Sequence, residues 1–272
     1  MSDTPYVVRR ESRSEFIPVR GLSYHVRHWG DTSLVTPERP PLVMVHGWMD
    51  VGASFQFVVD ALADDRYVIA PDWRGFGLTD SPQEDSYWFA DYLGDLDAII
   101  DATLKPFAGV TQVDLVGHSM GGNVVMIYAG VRPQRIRRLV NLEGFGMPAT
   151  IPSLAPKRYA MWLDELKEPV EIRPYKTLEA VATRLRKTNP LLYQRDEVLA
   201  CWKLITAPVM WVEGDQTDIG KWWGERYSKA EFHERFATVA QRETHVLSPA
   251  GHMLHHDQPE ALARLLEAFL AN

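Results

Sequence analysis

The feature that most constrains this chain is a serine between two glycines, Gly117-His118-Ser119-Met120-Gly121, at the junction of two sequence patterns. Residues 113–116 before it form a short run rich in aliphatic side chains, which predicts a buried strand. After it, apolar residues recur at helical spacing at Val124, Ile127, Tyr128 and Val131. The pattern therefore predicts a strand that turns directly into a helix, with Ser119 at the turn.

A turn of this kind has a strained backbone, and it closes only when the neighbours of the serine lack side chains. The first N–H groups of the following helix are free, and the positive end of the helix dipole lies beside them. A negative charge that develops next to Ser119 during acyl transfer would be stabilised there. The alternative interpretation is a glycine-rich turn whose serine has no chemical role.

Short apolar runs alternate with helical patterns along most of the chain. The runs predict a hairpin over 13–20 and 22–29, and buried strands near 42–45, 67–70, 136–142, 208–212 and 244–248. Helical periodicity covers 53–63, 88–104 and a last helix opened by Pro259. This alternation predicts an α/β fold, in which a mostly parallel central sheet carries helices on both faces. Functional loops of such sheets follow the carboxyl ends of the strands.

One segment, residues 146–203, contains no convincing strand. Its pattern predicts helices over 158–167, 177–188 and 195–204. Because the segment lies between two predicted core strands, we expect it to form a helical cap over the carboxyl edge of the sheet. A simple surface insertion is the alternative. The core then comprises residues 1–145 and 204–272.

Net charge, the cysteine count and the length of the apolar runs limit the binding partners and the cellular location that we expect. The formal net charge of the 272 residues is −7, which argues against nucleic acid as a partner. The one cysteine, Cys201, excludes an internal disulfide and suits a reducing cytoplasm. No apolar run is long enough for a membrane span, and residues 1–20 lack the apolar core of a signal peptide. We therefore expect a cytoplasmic protein without stable membrane insertion.

The sequence also gives no sign of a cofactor. It contains no metal-ligand spacing, no phosphate-binding loop and no dinucleotide fingerprint. We therefore expect the chemistry of this chain to need neither a metal nor a cofactor.

Four motifs together resemble those of the α/β-hydrolase superfamily. They are Gly117-His118-Ser119-Met120-Gly121, His46-Gly47-Trp48, Asp72-x-Arg74-Gly75-x-Gly77, and Gly251-His252 followed by Asp257-Gln258-Pro259. Residues 46–55 and 142–146 are similar to the serine hydrolase-like proteins, a branch near the capped esterases. The resemblance covers most of the chain outside the cap and implies an α/β-hydrolase fold with a helical cap insertion.

The resemblance also implies roles for individual residues. Ser119 corresponds to the nucleophile, and His252, in a loop after the last strand, corresponds to the base that removes its proton. His255 and His256 are near rivals in sequence, but they fall where the closing helix begins. The backbone N–H groups of Trp48 and Met120 would form the oxyanion hole.

The chain departs from the family pattern at the position of the catalytic acid, the residue that partners the histidine. Most members carry an acid three residues after a glycine that follows the strand beyond the cap, and here that position holds Thr217 after Gly214. Asp218 comes one residue late. Glu143, at the end of the preceding predicted strand, is the other candidate, since some members use an acid there. Glu143 is the favoured acid and Asp218 the alternative.

A serine nucleophile narrows the reaction, because epoxide hydrolysis and dehalogenation in this family need a carboxylate nucleophile. Ser119 therefore predicts acyl chemistry, with a carboxylic ester as the default substrate and hydrolysis of a C–C bond in aromatic breakdown as an alternative. A non-catalytic ligand-binding protein of the same fold is a further alternative. Many of the nine tryptophans fall at strand ends or in the cap, which predicts a small apolar or aromatic ester as the substrate.

Overall fold

The computed structural model describes residues 6–81, 88–147, 152–167, 195–224 and 227–271. The strands are β1 (Arg13–Val19), β2 (Leu22–Trp29), β3 (Leu42–Val45), β4 (Val68–Pro71), β5 (Val113–His118), β6 (Ile136–Leu142), β7 (Val209–Gly214) and β8 (Arg242–Leu247). In this part of the chain they form one eight-stranded sheet, ordered β1-β2-β4-β3-β5-β6-β7-β8. The pairs of β2 with β1 and β4 are antiparallel, and every neighbouring pair from β4 to β8 is parallel. The predicted mostly parallel sheet is confirmed.

Helices cover both faces of this sheet. They are α1 (Gln56–Ala61), α2 (Phe89–Leu104), α3 (Met120–Val131), α4 (Ala155–Lys167), α5 (Arg195–Lys203), α6 (Gly220–Trp223), α7 (Lys229–Phe236), α8 (Leu254–Asp257) and α9 (Pro259–Ala271). Within the described ranges, no helix has the length and apolar character that a membrane crossing requires.

The apolar core consists of two layers separated by the sheet. Alternate residues of a strand point to opposite faces, so Val43 and Val45 of β3 enter one layer, and Leu42 and Met44 enter the other. The first layer packs against α2 and α3, and the second against α1 and α9. Since both faces are buried, the central strands are continuous apolar runs, which is why the sequence pattern located them.

The register of the central strands determines where their loops emerge. Val45 of β3 lies opposite Gly117 of β5, and His118 of β5 lies opposite Leu142 of β6. The residues that follow these three strands therefore leave the sheet side by side at its carboxyl edge. This edge brings together loops that are distant in sequence.

Two elements differ from their predicted form. The helix predicted over 53–63 is a 3-10 turn, Gly52–Phe55, followed by the short helix α1. A Cβ at Gly52 would lie 2.6 Å from the Ala70 carbonyl oxygen, so the start of this segment is tied closely to β4. The strand predicted over 244–248 begins earlier, at Arg242, because its exposed polar residues pair with β7 from Val209 onward.

The described part of the predicted cap is helical. It contains α4 and α5, close to the helices predicted over 158–167 and 195–204. The helix predicted over 177–188 lies outside the described residues. Helix α5 packs closely on α3, since a Cβ at Gly130 would lie 2.0 Å from the Cys201 carbonyl oxygen. The boundaries of the cap and its role remain predictions.

A buried ion pair holds the loop after β4 beneath the carboxyl edge. Arg74 binds Asp95 of α2 through two hydrogen bonds, at 2.5 and 2.7 Å, and Asp95 is fully buried. Tyr24 of β2 donates to the same carboxylate and accepts from the Arg74 backbone N–H. These bonds fix the position of Trp73, which contacts the candidate site described below.

Replacing Asp95 by alanine is expected to lower the free energy of unfolding by about 3–5 kcal/mol, because the Arg74 cation would stay buried without its partner. Denaturant unfolding followed by circular dichroism measures this loss. The matched control is Arg20→Ala, which removes a 42% exposed partner of the same carboxylate and should cost less than about 1 kcal/mol. If the two variants lost the same free energy of unfolding, the buried Arg74–Asp95 pair would not have the stabilising role described here.

Candidate active site

Ser119 occupies the junction of β5 and α3 with φ 52° and ψ −115°. A Cβ at Gly117 would lie 2.4 Å from the Gly121 carbonyl oxygen, and a Cβ at Gly121 would lie 2.5 Å from the Val45 carbonyl oxygen. Both neighbours are backbone atoms, so a larger residue at either position would force the turn apart. The predicted strand–turn–helix unit is present, and its glycines are sterically required.

His252 bridges Ser119 and a buried carboxylate. Its Nε2 lies 2.9 Å from Ser119 Oγ, and its Nδ1 lies 3.1 Å from Glu143 Oε2. Because an ionised carboxylate only accepts hydrogen bonds, Nδ1 carries the proton and Nε2 is free to accept from the serine hydroxyl. The arrangement can take a proton from Ser119 and stabilise the imidazolium that results.

Glu143 follows β6 directly, and its side chain is 0% exposed. Its φ of 58° is uncommon for a residue other than glycine and turns the chain sharply at the strand end. While Oε2 faces His252, Oε1 accepts a 2.6 Å hydrogen bond from the Gly214 N–H at the end of β7. Burial of a carboxylate is costly unless it is paired, and here both oxygens have partners.

The alternative acid, Asp218, has a different position. Its side chain is exposed, and Oδ1 accepts from the Gly220 N–H at 2.9 Å, at the start of α6. Asp215 instead holds the loop before His252, since it accepts from Ser248 Oγ at 2.6 Å and the Ala250 N–H at 2.9 Å. The structure therefore brings Glu143, and not Asp218, to His252 Nδ1.

The loop after β3 carries Trp48, one of the two predicted oxyanion donors. Its neighbour Gly47 approaches Ser119 closely, because a Cβ at Gly47 would lie 3.0 Å from Ser119 Cβ. The other predicted donor, Met120, is the first residue of α3. Both backbone segments therefore border the serine, as the motif order implies.

His46 fixes the peptide that carries the Trp48 N–H. His46 Nε2 accepts from the Trp73 N–H at 2.8 Å, so Nδ1 holds the proton and donates to the Gly47 carbonyl at 2.8 Å. Burial lowers the pKa of His46, which keeps the ring neutral. In a trans peptide the C=O and N–H point in opposite directions, so anchoring the Gly47 carbonyl also fixes the Trp48 N–H.

Trp222 is a site residue that the sequence did not reveal. Its ring centroid lies 4.5 Å from that of His252, with the planes at 69°. In the sequence it is one of nine tryptophans, and no motif distinguishes it. Its place in the short helix α6, just beyond β7 at the carboxyl edge, is the one signal that could have indicated the site.

The two histidines that are alternatives to His252 as the base, His255 and His256, make no hydrogen bond to Ser119 in the described part of the chain. His255 is fully buried, and its ring lies 4.6 Å from that of His118. Burial lowers the pKa of His256, whose ring packs on Phe57. His118 itself donates from Nε2 to the His252 carbonyl at 2.7 Å and so holds the His252 loop.

Comparisons with known proteins identify the family to which this fold belongs. A family model described as "alpha/beta hydrolase fold" matches residues 40–230. A 2-hydroxymuconate semialdehyde hydrolase of Pseudomonas sp. (strain CF600) is 36% identical over 114 residues, which cover 39% of this chain and 37% of the relative. A serine hydrolase-like protein of Danio rerio is 28% identical over 196 residues, covering 67% and 55% of the two chains. The chain thus spans about half the length, or less, of these curated relatives.

A solved structure extends the comparison to nearly the whole chain. The thioesterase domain from the curacin biosynthetic pathway superposes with a TM-score of 0.73 at 24% identity, covering 94% of this chain and 99% of the domain. At this identity the likeness shows the fold alone. Together with the sheet order and the match over residues 40–230, it shows that this chain belongs to the α/β-hydrolase fold family.

Proposed function

We propose that this protein is a serine hydrolase that cleaves a carboxylic ester through an acyl-enzyme on Ser119. The observation that carries the proposal is the continuous hydrogen-bonded chain from the buried Glu143 through His252 to Ser119 Oγ. A serine held in a strained turn with a base at 2.9 Å has the arrangement that nucleophilic catalysis requires.

The reaction then proceeds in two steps. Ser119 Oγ attacks the ester carbonyl carbon while His252 Nε2 takes the hydroxyl proton, and Glu143 stabilises the imidazolium. The oxyanion accepts hydrogen bonds from the N–H groups of Trp48 and Met120, each worth about 3 kcal/mol in the transition state. His252 returns the proton to the leaving alcohol, and the same groups activate a water that releases the acid and restores Ser119.

The residues around the site favour an apolar or aromatic substrate. The Trp48 side chain is 44% exposed and packs edge-on against Phe76 at 5.3 Å. The ring of Trp222 adds a second aromatic surface beside His252. Aromatic rings exposed next to a nucleophile bind apolar acyl or alcohol groups well. The cap over residues 146–203 is proposed to select among such substrates.

Hydrolysis of a C–C bond beside a ketone is the second candidate. It is favoured by the similarity to the 2-hydroxymuconate semialdehyde hydrolase of Pseudomonas, and the same serine and histidine could perform it.

A non-catalytic ligand-binding role is the third candidate, and the complete hydrogen-bonded chain argues against it, since a binding pocket does not need a base aimed at a serine.

One panel of substrates separates these candidates. It contains p-nitrophenyl esters from acetate to palmitate together with a vinylogous diketone, each tested with wild-type protein and with Ser119→Ala. The proposal expects Ser119-dependent hydrolysis of at least one ester and slower turnover of the diketone. Cleavage of the diketone alone would assign C–C hydrolysis, and binding without turnover of either class would assign a receptor role.

Trp222→Leu is expected to lower kcat/KM for the best ester of the panel about tenfold, because an aromatic contact with the His252 ring is worth up to about 1.5 kcal/mol. Trp222→Phe keeps an aromatic ring and should stay within about threefold of wild type. Steady-state kinetics of both variants measure the difference. The same loss in Phe and Leu variants would mean that the ring contact with His252 does not matter.

A further inference from the structure

A second polar cluster lies directly behind the candidate active site. Asp50, His118 and His255 each offer a ligand atom, and these atoms all lie within 4.8 Å of one another. His118 and His255 are 2% and 0% exposed. The proposed reaction uses none of these three side chains. Because Asp50 lies in the loop after β3, His118 at the end of β5 and His255 in α8, no metal-ligand spacing in the sequence could reveal them.

The hydrogen bonding of His118 leaves one ring nitrogen ready to bind a cation. Nε2 donates to the His252 carbonyl at 2.7 Å, so Nδ1 carries the lone pair. Among the described residues, this buried Nδ1 has no hydrogen-bond partner. A histidine whose other N–H binds a backbone carbonyl has the orientation typical of a metal ligand.

His255 and Asp50 complete the donor set. Neither ring nitrogen of His255 makes a hydrogen bond to the part of the chain that the structure describes, and its Nε2 lies 3.6 Å from Asp50 Oδ2. The Asp50 carboxylate is oriented by the Val51 N–H and the Ser54 hydroxyl, each at 2.9 Å. Buried polar atoms without partners are costly, so a ligand that satisfies them would gain that energy.

We propose that Asp50, His118 and His255 form a site for a divalent transition-metal ion, with zinc as the best fit. Two imidazoles and one carboxylate are a common donor set for zinc, which binds them at about 2.0–2.2 Å and leaves a fourth position open. Two ligand atoms of a tetrahedral ion with these bond lengths lie about 3.4 Å apart, so ligand atoms now within 4.8 Å of one another must approach by up to about 1.4 Å.

The proposed metal site is coupled to the His252 loop through the hydrogen bond from His118 Nε2 to the His252 carbonyl. A cation on His118 Nδ1 polarises the ring and strengthens the Nε2–H bond to the His252 carbonyl. An occupied site should therefore stiffen the loop that carries His252. Metal binding itself does not depend on the proposed hydrolase activity, so the test below reads binding directly.

The experiment titrates Co²⁺ into chelator-treated protein, because Co²⁺ in a tetrahedral nitrogen and oxygen site absorbs strongly in the visible range. We expect one Co²⁺ per chain, which Zn²⁺ displaces. Asp50→Asn and His255→Gln should weaken binding about tenfold or more. His245→Gln, which alters a half-buried histidine of β8 outside the cluster, should bind as wild type does. Circular dichroism checks that each variant is folded. If His255→Gln does not fold, the near-isosteric Asp50→Asn still tests the site, because Asp50 is only partly buried.

Three results would overturn the proposal. The first is the absence of a stoichiometric visible band in the wild-type protein. The second is unchanged binding in folded Asp50→Asn, which would show that Asp50 and His255 are neighbours that share no metal ion. The third is loss of binding in Glu143→Gln, which would place the ion between Glu143 and His252. Retention in Glu143→Gln is the expected result.

Discussion

Replacing Ser119 by alanine is expected to lower kcat on a p-nitrophenyl ester by about 10⁶-fold, because the variant has no nucleophile for His252 to activate. The remaining rate should still exceed that of water, since the N–H groups of Trp48 and Met120 can stabilise the oxyanion of a direct water attack. Steady-state kinetics against a no-enzyme blank measure both quantities.

The matched control is Ser33→Ala, which alters an exposed hydroxyl in the 3-10 turn Thr32–Leu34. It should leave kcat within about twofold of wild type, as expected for a surface change away from the site. Ester turnover that survives Ser119→Ala at a tenth of the wild-type rate would exclude Ser119 as the nucleophile.

Glu143→Gln is expected to lower kcat by about 10⁴-fold with the fold intact. The amide is near-isosteric, but its NH₂ group cannot accept the His252 Nδ1 proton and its neutral oxygen cannot stabilise the imidazolium. The Gly214 N–H keeps an acceptor in this variant, so stability should change less than activity. Pre-steady-state and steady-state kinetics with thermal unfolding separate the two effects.

The comparison variant is Asp218→Asn, because Asp218 is the acid that sequence spacing offers as the alternative. Asp218 is exposed and accepts a hydrogen bond from the Gly220 N–H. Its loss should change kcat by no more than about threefold, since it removes one capping interaction of about 1 kcal/mol. A collapse of kcat in Asp218→Asn with near wild-type activity in Glu143→Gln would move the acid to the loop after β7.

The fold could be predicted because its central strands are buried on both faces. Residues 42–45 and 113–116 are apolar at nearly every position, and the structure buries all of them. The edge strand β8 was located less well, because its exposed polar residues do not form an apolar run. The glycines around Ser119 were a strong signal, since steric contact with backbone atoms leaves no alternative at those positions.

The identity of the acid depends on register, which one sequence does not encode locally. His118 lies opposite Leu142, so the residues after β5 and β6 leave the sheet side by side. That pairing places Glu143 beside the loop of His252, while Asp218 lies farther along the loop after β7 and caps α6. The spacing after Gly214 could favour Glu143 over Asp218 as the acid. Only the geometry of the sheet shows that Glu143 reaches His252 Nδ1.

Contacts between separate elements at the carboxyl edge were the part that the sequence could not predict. The approach of Trp222 to His252 and the cluster of Asp50, His118 and His255 join residues of different strands, helices and loops at this edge. No periodicity or spacing links these positions, because each loop conformation depends on the strands and helices that support it.

The role of Ser119 as nucleophile is tested most directly by identifying the covalent acyl-enzyme. Wild-type protein is mixed with a p-nitrophenyl ester, quenched in acid during turnover and analysed by intact-protein and peptide mass spectrometry. We expect one acyl group per chain, located on the peptide that contains Ser119, and no acyl group in Ser119→Ala. Turnover of the ester with no acyl adduct on Ser119, or with the adduct on another residue, would contradict this role.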